Sequence, residues 1–100
     1  MKNEEGKQKE ETAYVYLLLC SDGSYYCGYT SDLERRLRQH NAGQGAKYTR
    51  GRGPCRLVYT EKCASRGEAL RRECALKRLT HGEKAVLAEA QRKESVDGGA

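Results

Sequence analysis

Three polar side chains stand where helical periodicity calls for apolar ones. If Leu33 and Leu37 mark the inward side of a helix, about 100° per residue carries Arg36 and His40 onto that same side. Arg35, Arg38 and Gln39 are left opposite. Downstream, Ala69, Leu70 and Leu76 outline a second apolar stripe with Glu73 in its middle and Lys77 one turn beyond. A carboxylate in such a stripe is costly unless it is paired or holds a cation. Glu73 therefore reads as a cation ligand. The competing reason is an i,i+4 pair with Lys77, which stabilises an isolated helix by only about 0.2–0.5 kcal/mol. Arg36 presents a planar fork that suits anionic oxygens, or else lays its stem on the core and snorkels. His40 can carry a proton near neutral pH, or serve as a hydrogen-bonded flank residue.

Tyrosines form a third group. Tyr14, Tyr16, Tyr25, Tyr26 and Tyr29 fall within sixteen residues of strand-like sequence, where packing alone would favour them and leave their hydroxyls at the rim. Whether Tyr16 and Tyr26 can act together depends on the intervening turn. A three-residue loop, 21–23, pairs Cys20 with Ser24, Leu18 with Tyr26 and Tyr16 with Gly28, so both tyrosines share a face. A two-residue Asp22-Gly23 turn would separate them.

These groups need elements to hold them. Residues 13–20 (AYVYLLLC) are apolar at every position, as in a strand covered on both sides. Residues 24–30 (SYYCGYT) read as its hairpin partner. Ser31 or Asp32 can cap a helix running to about Asn41, followed by a glycine-bearing loop at 42–53. Pro54 opens a third strand at 55–61, Ser65 caps a helix to about Leu79, and Thr80 caps a last helix at 81–90. The order β-β-α-β-α-α implies an α+β domain, a small mixed or antiparallel sheet covered by helices. Residues 1–12 and 91–100 are polar or glycine-ended and read as disordered tails, leaving 13–90 as the domain.

Length and charge bound the function. One hundred residues, 37% of them hydrophobic, can build one small core and no second domain. The longest apolar run is eight residues, against about twenty for a membrane span. The first twelve residues are charged and carry no hydrophobic stretch, so no membrane partner is expected and the reading is cytoplasmic. Residues 33–56 hold seven basic side chains, six of them arginine, against the single acid Glu34. That concentration points to a polyanion, nucleic acid first. The five cysteines, odd in number and without a C-x-x-C, read as reduced core thiols rather than a disulfide framework or zinc site.

The ordered set of motifs resembles the GIY-YIG nuclease superfamily, most of all its small stand-alone YhbQ-like branch. The matching segments are Tyr14-Val15-Tyr16, Tyr26-Cys27-Gly28, the run TSDLERRLRQH ending at His40, and ALRRE ending at Glu73. The match runs from about Tyr14 to Lys84. Tyr14 and Val15 stand in place of the name's Gly and Ile, Cys27 replaces its second Ile, and no Asn occurs in 74–90.

The resemblance implies a three-stranded antiparallel sheet flanked by helices, and divalent-metal-dependent phosphodiester cleavage. By position it assigns Tyr16 and Tyr26 as motif tyrosines, with Tyr16 in the place usually given the base role. Arg36 becomes the phosphate-binding arginine, His40 its companion, and Glu73 the ligand of Mg²⁺ or Mn²⁺. The place of the missing Asn would pass to Lys77 or Lys84. Gly28 would let substrate approach the strand, and Lys47, Tyr48, Thr49, Arg50 and Arg52, with Lys77, would hold the strand backbone. The expected substrate is DNA rather than RNA, structured, nicked or single-stranded, cut by a monomer or weak dimer. The alternative is a nucleic-acid-binding module with little or no catalysis.

Overall fold

The apolar segment expected at 13–20 is the middle strand of the molecule. The computed structural model describes residues 12–44 and 51–99. In it β1 (Ala13–Leu19) lies between β2 (Tyr25–Thr30) and β3 (Arg56–Cys63), giving a three-stranded antiparallel sheet ordered β2-β1-β3. A central strand has neighbours on both edges and, here, layers on both faces, which is why its sequence does not alternate.

The turn question resolves in favour of three residues. Cys20 N–H donates to the Ser24 carbonyl at 2.8 Å, and Leu18 faces Tyr26 while Tyr16 faces Gly28. Gly23 closes the loop at φ +87°, which a residue with a Cβ rarely adopts. Tyr16 and Tyr26 therefore share a face.

Three helices complete the order β-β-α-β-α-α: α1 (Leu33–Asn41), α2 (Arg66–Lys77) and α3 (His81–Gly99). Asp32, rather than Ser31, caps α1 by accepting from Arg35 N–H at 3.1 Å. Ser65 caps α2, accepting from Glu68 N–H. Thr80 and Glu83 make a reciprocal box at the start of α3, each side chain accepting from the other's backbone N–H. Helix α1 covers the face bearing Tyr16, Leu18 and Cys20, with Leu33 and Leu37 packed against them. Helices α2 and α3 cover the opposite face, where Ala69, Leu76 and Leu87 meet Val15, Leu17 and Cys27.

Two boundaries depart from the sequence reading. β3 runs from Arg56 to Cys63 rather than over 55–61, with an irregularity opposite Leu17/Leu18 that inserts Val58. Helix α3 continues to Gly99, through residues expected to be a C-terminal tail. Gln91 supplies part of the reason: its amide accepts from Thr60 N–H at 3.0 Å and donates to Thr60 O at 2.9 Å, pairing with the free edge of β3. Most of the expected N-terminal tail, residues 1–11, lies outside the described residues. Among the described residues no helix is long and apolar enough to cross a membrane.

Candidate active site

Register and helix phase together build a polar cluster under α1. Tyr16 and Tyr26 project from the α1 face of the sheet, and α1 lowers His40 onto them. His40 is 2% exposed, as is Tyr16, and the Tyr16 hydroxyl lies 3.0 Å from His40 Nε2. The Tyr26 ring is half-buried, with its centroid 5.1 Å from His40 and 6.3 Å from Tyr16.

Arg36, half-buried one turn before His40, sets the electrostatics. Burial pushes the Tyr16 phenol up to about 12, against the opposing pull of a hydrogen bond from Arg36. His40 is held below its ordinary 6.5 by burial first and by the Arg36 charge second, so it is neutral at pH 7. With the Arg36 guanidinium beside the Tyr16 oxygen, the favourable arrangement turns the phenolic proton toward His40 Nε2. That nitrogen then accepts, which places the imidazole's own proton on Nδ1.

Gly28 belongs to this cluster for a reason different from the one expected. A Cβ on it would stand 2.6 Å from the Tyr16 hydroxyl oxygen, 2.8 Å from its Cζ and 3.0 Å from Tyr26 Cε2. The space above Gly28 is taken by the two tyrosines and not left for substrate.

Glu73 occupies the other face. It lies on α2, its carbonyl 3.8 Å from the Cys27 sulfur on β2, and its side chain is 14% exposed. Among the described residues no hydrogen bond or ion pair joins it to Arg36 or Tyr16. Its partner is Lys77, with Nζ 3.4 Å from Oε2, so the competing reason for a charge at this position is present. The Lys77 ammonium also feels the Tyr26 phenol, and both Lys77 and Lys84 act on Cys27. β2 is an edge strand, so Lys77 from one face and Tyr26 from the other interact around that edge.

The donor set bears on which cation would fit. No group of three His, Cys, Asp or Glu able to hold an ion occurs among the described residues. A zinc-type cage is therefore not assembled by them. One shielded carboxylate, once released by the Lys77 ammonium, would suit an ion that keeps most of its water and takes further oxygens from a phosphate, as Mg²⁺ and Mn²⁺ do.

The basic loop is only partly described. Lys47, Tyr48, Thr49 and Arg50 lie outside the described residues. Arg52 is bound to the hairpin: its Nη1 lies 2.6 Å from Asp22 Oδ2, and its carbonyl accepts from both the N–H and the hydroxyl of Ser21 at 2.8 Å. Its guanidinium anchors the loop's return in addition to any role toward a ligand. Gln39 was placed away from Arg36 on the wheel, yet its Oε1 accepts from Arg36 Nη1 at 3.0 Å. The i,i+3 spacing was the available signal. Asn41 was unmarked by any pattern: it accepts from Cys55 N–H at 2.6 Å and donates to Cys55 O at 3.0 Å, tying the end of α1 to the start of β3.

Known proteins resemble this chain in sequence and in fold. Residues 12–85 match the model of the GIY-YIG catalytic domain. A UPF0213 protein of Haloquadratum walsbyi is 57% identical over 76 residues, 76% of this chain and 85% of its own. One from Halobacterium salinarum is 54% identical over 74 residues, 74% of this chain and 96% of the relative. The solution NMR structure of a UPF0213 protein from Bacillus halodurans superposes with a TM-score of 0.51 at 51% identity, over 79% of this chain and 84% of that one.

Proposed function

Because the chain belongs to the GIY-YIG family, we propose that it is an endonuclease that hydrolyses phosphodiester bonds in DNA with the help of Mg²⁺ or Mn²⁺. The observation that carries this reading is the buried Tyr16–His40 contact lying against Arg36. A wholly buried histidine joined to a buried phenol, with a guanidinium on the phenol oxygen, is a poor way to stabilise a core and a good way to move a proton beside an anion.

Each residue has a part in the hydrolysis. Arg36, steadied by Gln39, binds a non-bridging phosphate oxygen, and its hydrogen bonds strengthen as charge grows there in the transition state. The attacking water passes its proton to the Tyr16 oxygen as Tyr16 passes its own to His40 Nε2. A free phenolate would be an expensive route: removing the proton from a phenol of pKa about 12 at pH 7 costs about 7 kcal/mol. The relay to neutral His40 avoids it. Tyr26 lines the outer side of the pair. Glu73 would hold the divalent ion, which supplies positive charge to the phosphoryl and leaving oxygens when bound. Lys77 and Lys84 add positive charge along the β2 edge where the strand would pass.

The Glu73–Lys77 pair favours a second reading, a binding module with little catalysis, since an ammonium already sits where the cation would go. A panel of single-stranded, duplex, nicked and branched DNA, with matching RNA, separates the two. The nuclease reading predicts nicking of DNA in Mn²⁺ or Mg²⁺ that stops in chelator. The binding reading predicts salt-sensitive retention of the same substrates with no product under either condition.

A further inference from the structure

Leu19 on β1 faces Arg56 on β3, so the residues beyond them, Cys20 and Cys55, oppose each other where the two strands leave the sheet. Neither backbone bonds to the other. Cys20 directs its N–H to the Ser24 carbonyl and its carbonyl to Gly23 N–H, on the β2 side. Cys55 gives both groups to the Asn41 side chain. The two cysteines thus stand side by side one residue beyond the paired ladder, where cross-strand neighbours fall within the Cα–Cα range of about 4.4–6.8 Å that a disulfide spans. The two sulfurs are 3.4 Å apart and reduced. No other thiol–thiol contact occurs among the described residues.

Access is also built in. A cavity of about 410 Å³ is lined by Cys20 and Cys55 with Leu19, Ser21, Pro54 and Arg56. It is wide enough for a small oxidant, though both side chains are otherwise buried.

We propose that Cys20 and Cys55 are a thiol-oxidation site, converted by hydrogen peroxide to an intramolecular disulfide and restored by dithiols. One sulfur, as thiolate, attacks a peroxide oxygen: an S–O bond forms, the O–O bond breaks, and the departing hydroxide takes up a proton to leave as water. The neighbouring sulfur then attacks the sulfenic acid, forming the S–S bond and expelling a second water. Two thiols and one peroxide give one disulfide and two waters. Burial pushes the Cys55 thiol up to about 11, so little of it is thiolate near neutrality and its own attack on peroxide is slow. The second step is fast because the resolving thiol is already in contact. The cross-link would close the segment from the hairpin turn through α1 into one loop, fastening both ends of the segment that carries Arg36 and His40. None of this depends on the nuclease reading.

The test uses the full chain treated with hydrogen peroxide, denatured and titrated for thiols. Of five cysteines, two should be lost, and dithiothreitol should return them. A tryptic digest should contain one peptide pair joined through Cys20 and Cys55. In Cys74→Ser, which removes the exposed thiol, the count should fall from four to two. In Cys74→Ser with Cys55→Ser it should stay at three. Persistence of all five thiols, a bridge through Cys27, Cys63 or Cys74, or oxidation of single cysteines without a bridge would each overturn the proposal.

Discussion

A single carbon added to Gly28 would come within 2.6 Å of the Tyr16 hydroxyl oxygen. The two residues face each other across β1 and β2, and the phenol lies over the space that any other residue on β2 would fill. A strand glycine normally weakens a sheet; here it lets a large buried ring reach His40.

Gly28→Ala is therefore expected to displace the Tyr16 ring. The nearest atoms belong to a stiff aromatic in a closed space, so the chain is expected to lose about 1–3 kcal/mol of stability, as overpacked cores do. Nicking should fall along with it. Thermal melting and nicking rate measured together check this, and an alanine variant with unchanged melting would show that the ring has room to spare.

Tyr16→Phe removes the proton carrier and the buried hydroxyl that contacts His40 Nε2. A cost of about 1–3 kcal/mol in stability is expected, with a fall of about 10²–10⁴ in single-turnover cleavage rate. Tyr26→Phe, at the half-exposed ring, should cost less stability. The measurement is a rate at saturating metal beside a denaturant midpoint.

The same pair sets two pH limits. His40 is depressed below 6.5 in the folded chain, so between that value and its lower folded pKa the unfolded chain binds more protons, and stability falls as pH drops. Tyr16 is raised from 10.0 to about 12, so the unfolded chain loses that proton first and stability falls as pH rises from about 10 toward 12. Melting temperature followed across pH should fall less steeply on the acid side in His40→Gln and on the alkaline side in Tyr16→Phe, where Tyr59, Cys27 and Cys55, also raised by burial, keep part of the slope.

The placement of these side chains was legible in part from the sequence. Arg36, His40 and Glu73 each broke an apolar stripe, and the hairpin arithmetic linked Tyr16 to Tyr26 once the turn length was known. The turn length itself was ambiguous, because Asp22-Gly23 suits either a two- or a three-residue loop; the Cys20–Ser24 pairing decided it. The function of Gly28 was read as openness to substrate because a sequence shows a missing side chain but not what fills its place. Gln91 and Asn41 act through tertiary contacts with backbone far along the chain, and no local pattern announces those. Helix α3 outran the end that composition suggested; the pairing of Gln91 with Thr60 on β3 holds it just past that point.

Lys77 gives a sharper prediction about the cation. Its ammonium lies 3.4 Å from the Glu73 carboxylate, mostly exposed, so Lys77→Met should change stability by less than about 0.5 kcal/mol. If a divalent ion must displace it, the Mn²⁺ concentration giving half-maximal nicking should fall several-fold in this variant. An unchanged metal titration would mean that Glu73 serves the helix and not the ion.

The most direct measurement compares wild type with Arg36→Ala and Glu73→Ala in single-turnover nicking of one DNA substrate in Mn²⁺, with binding of that substrate followed in parallel. The account predicts that both variants still bind DNA and lose nicking by at least about a hundredfold, the loss expected when a group that stabilises transition-state charge is removed. Wild-type levels of nicking in either variant would contradict it.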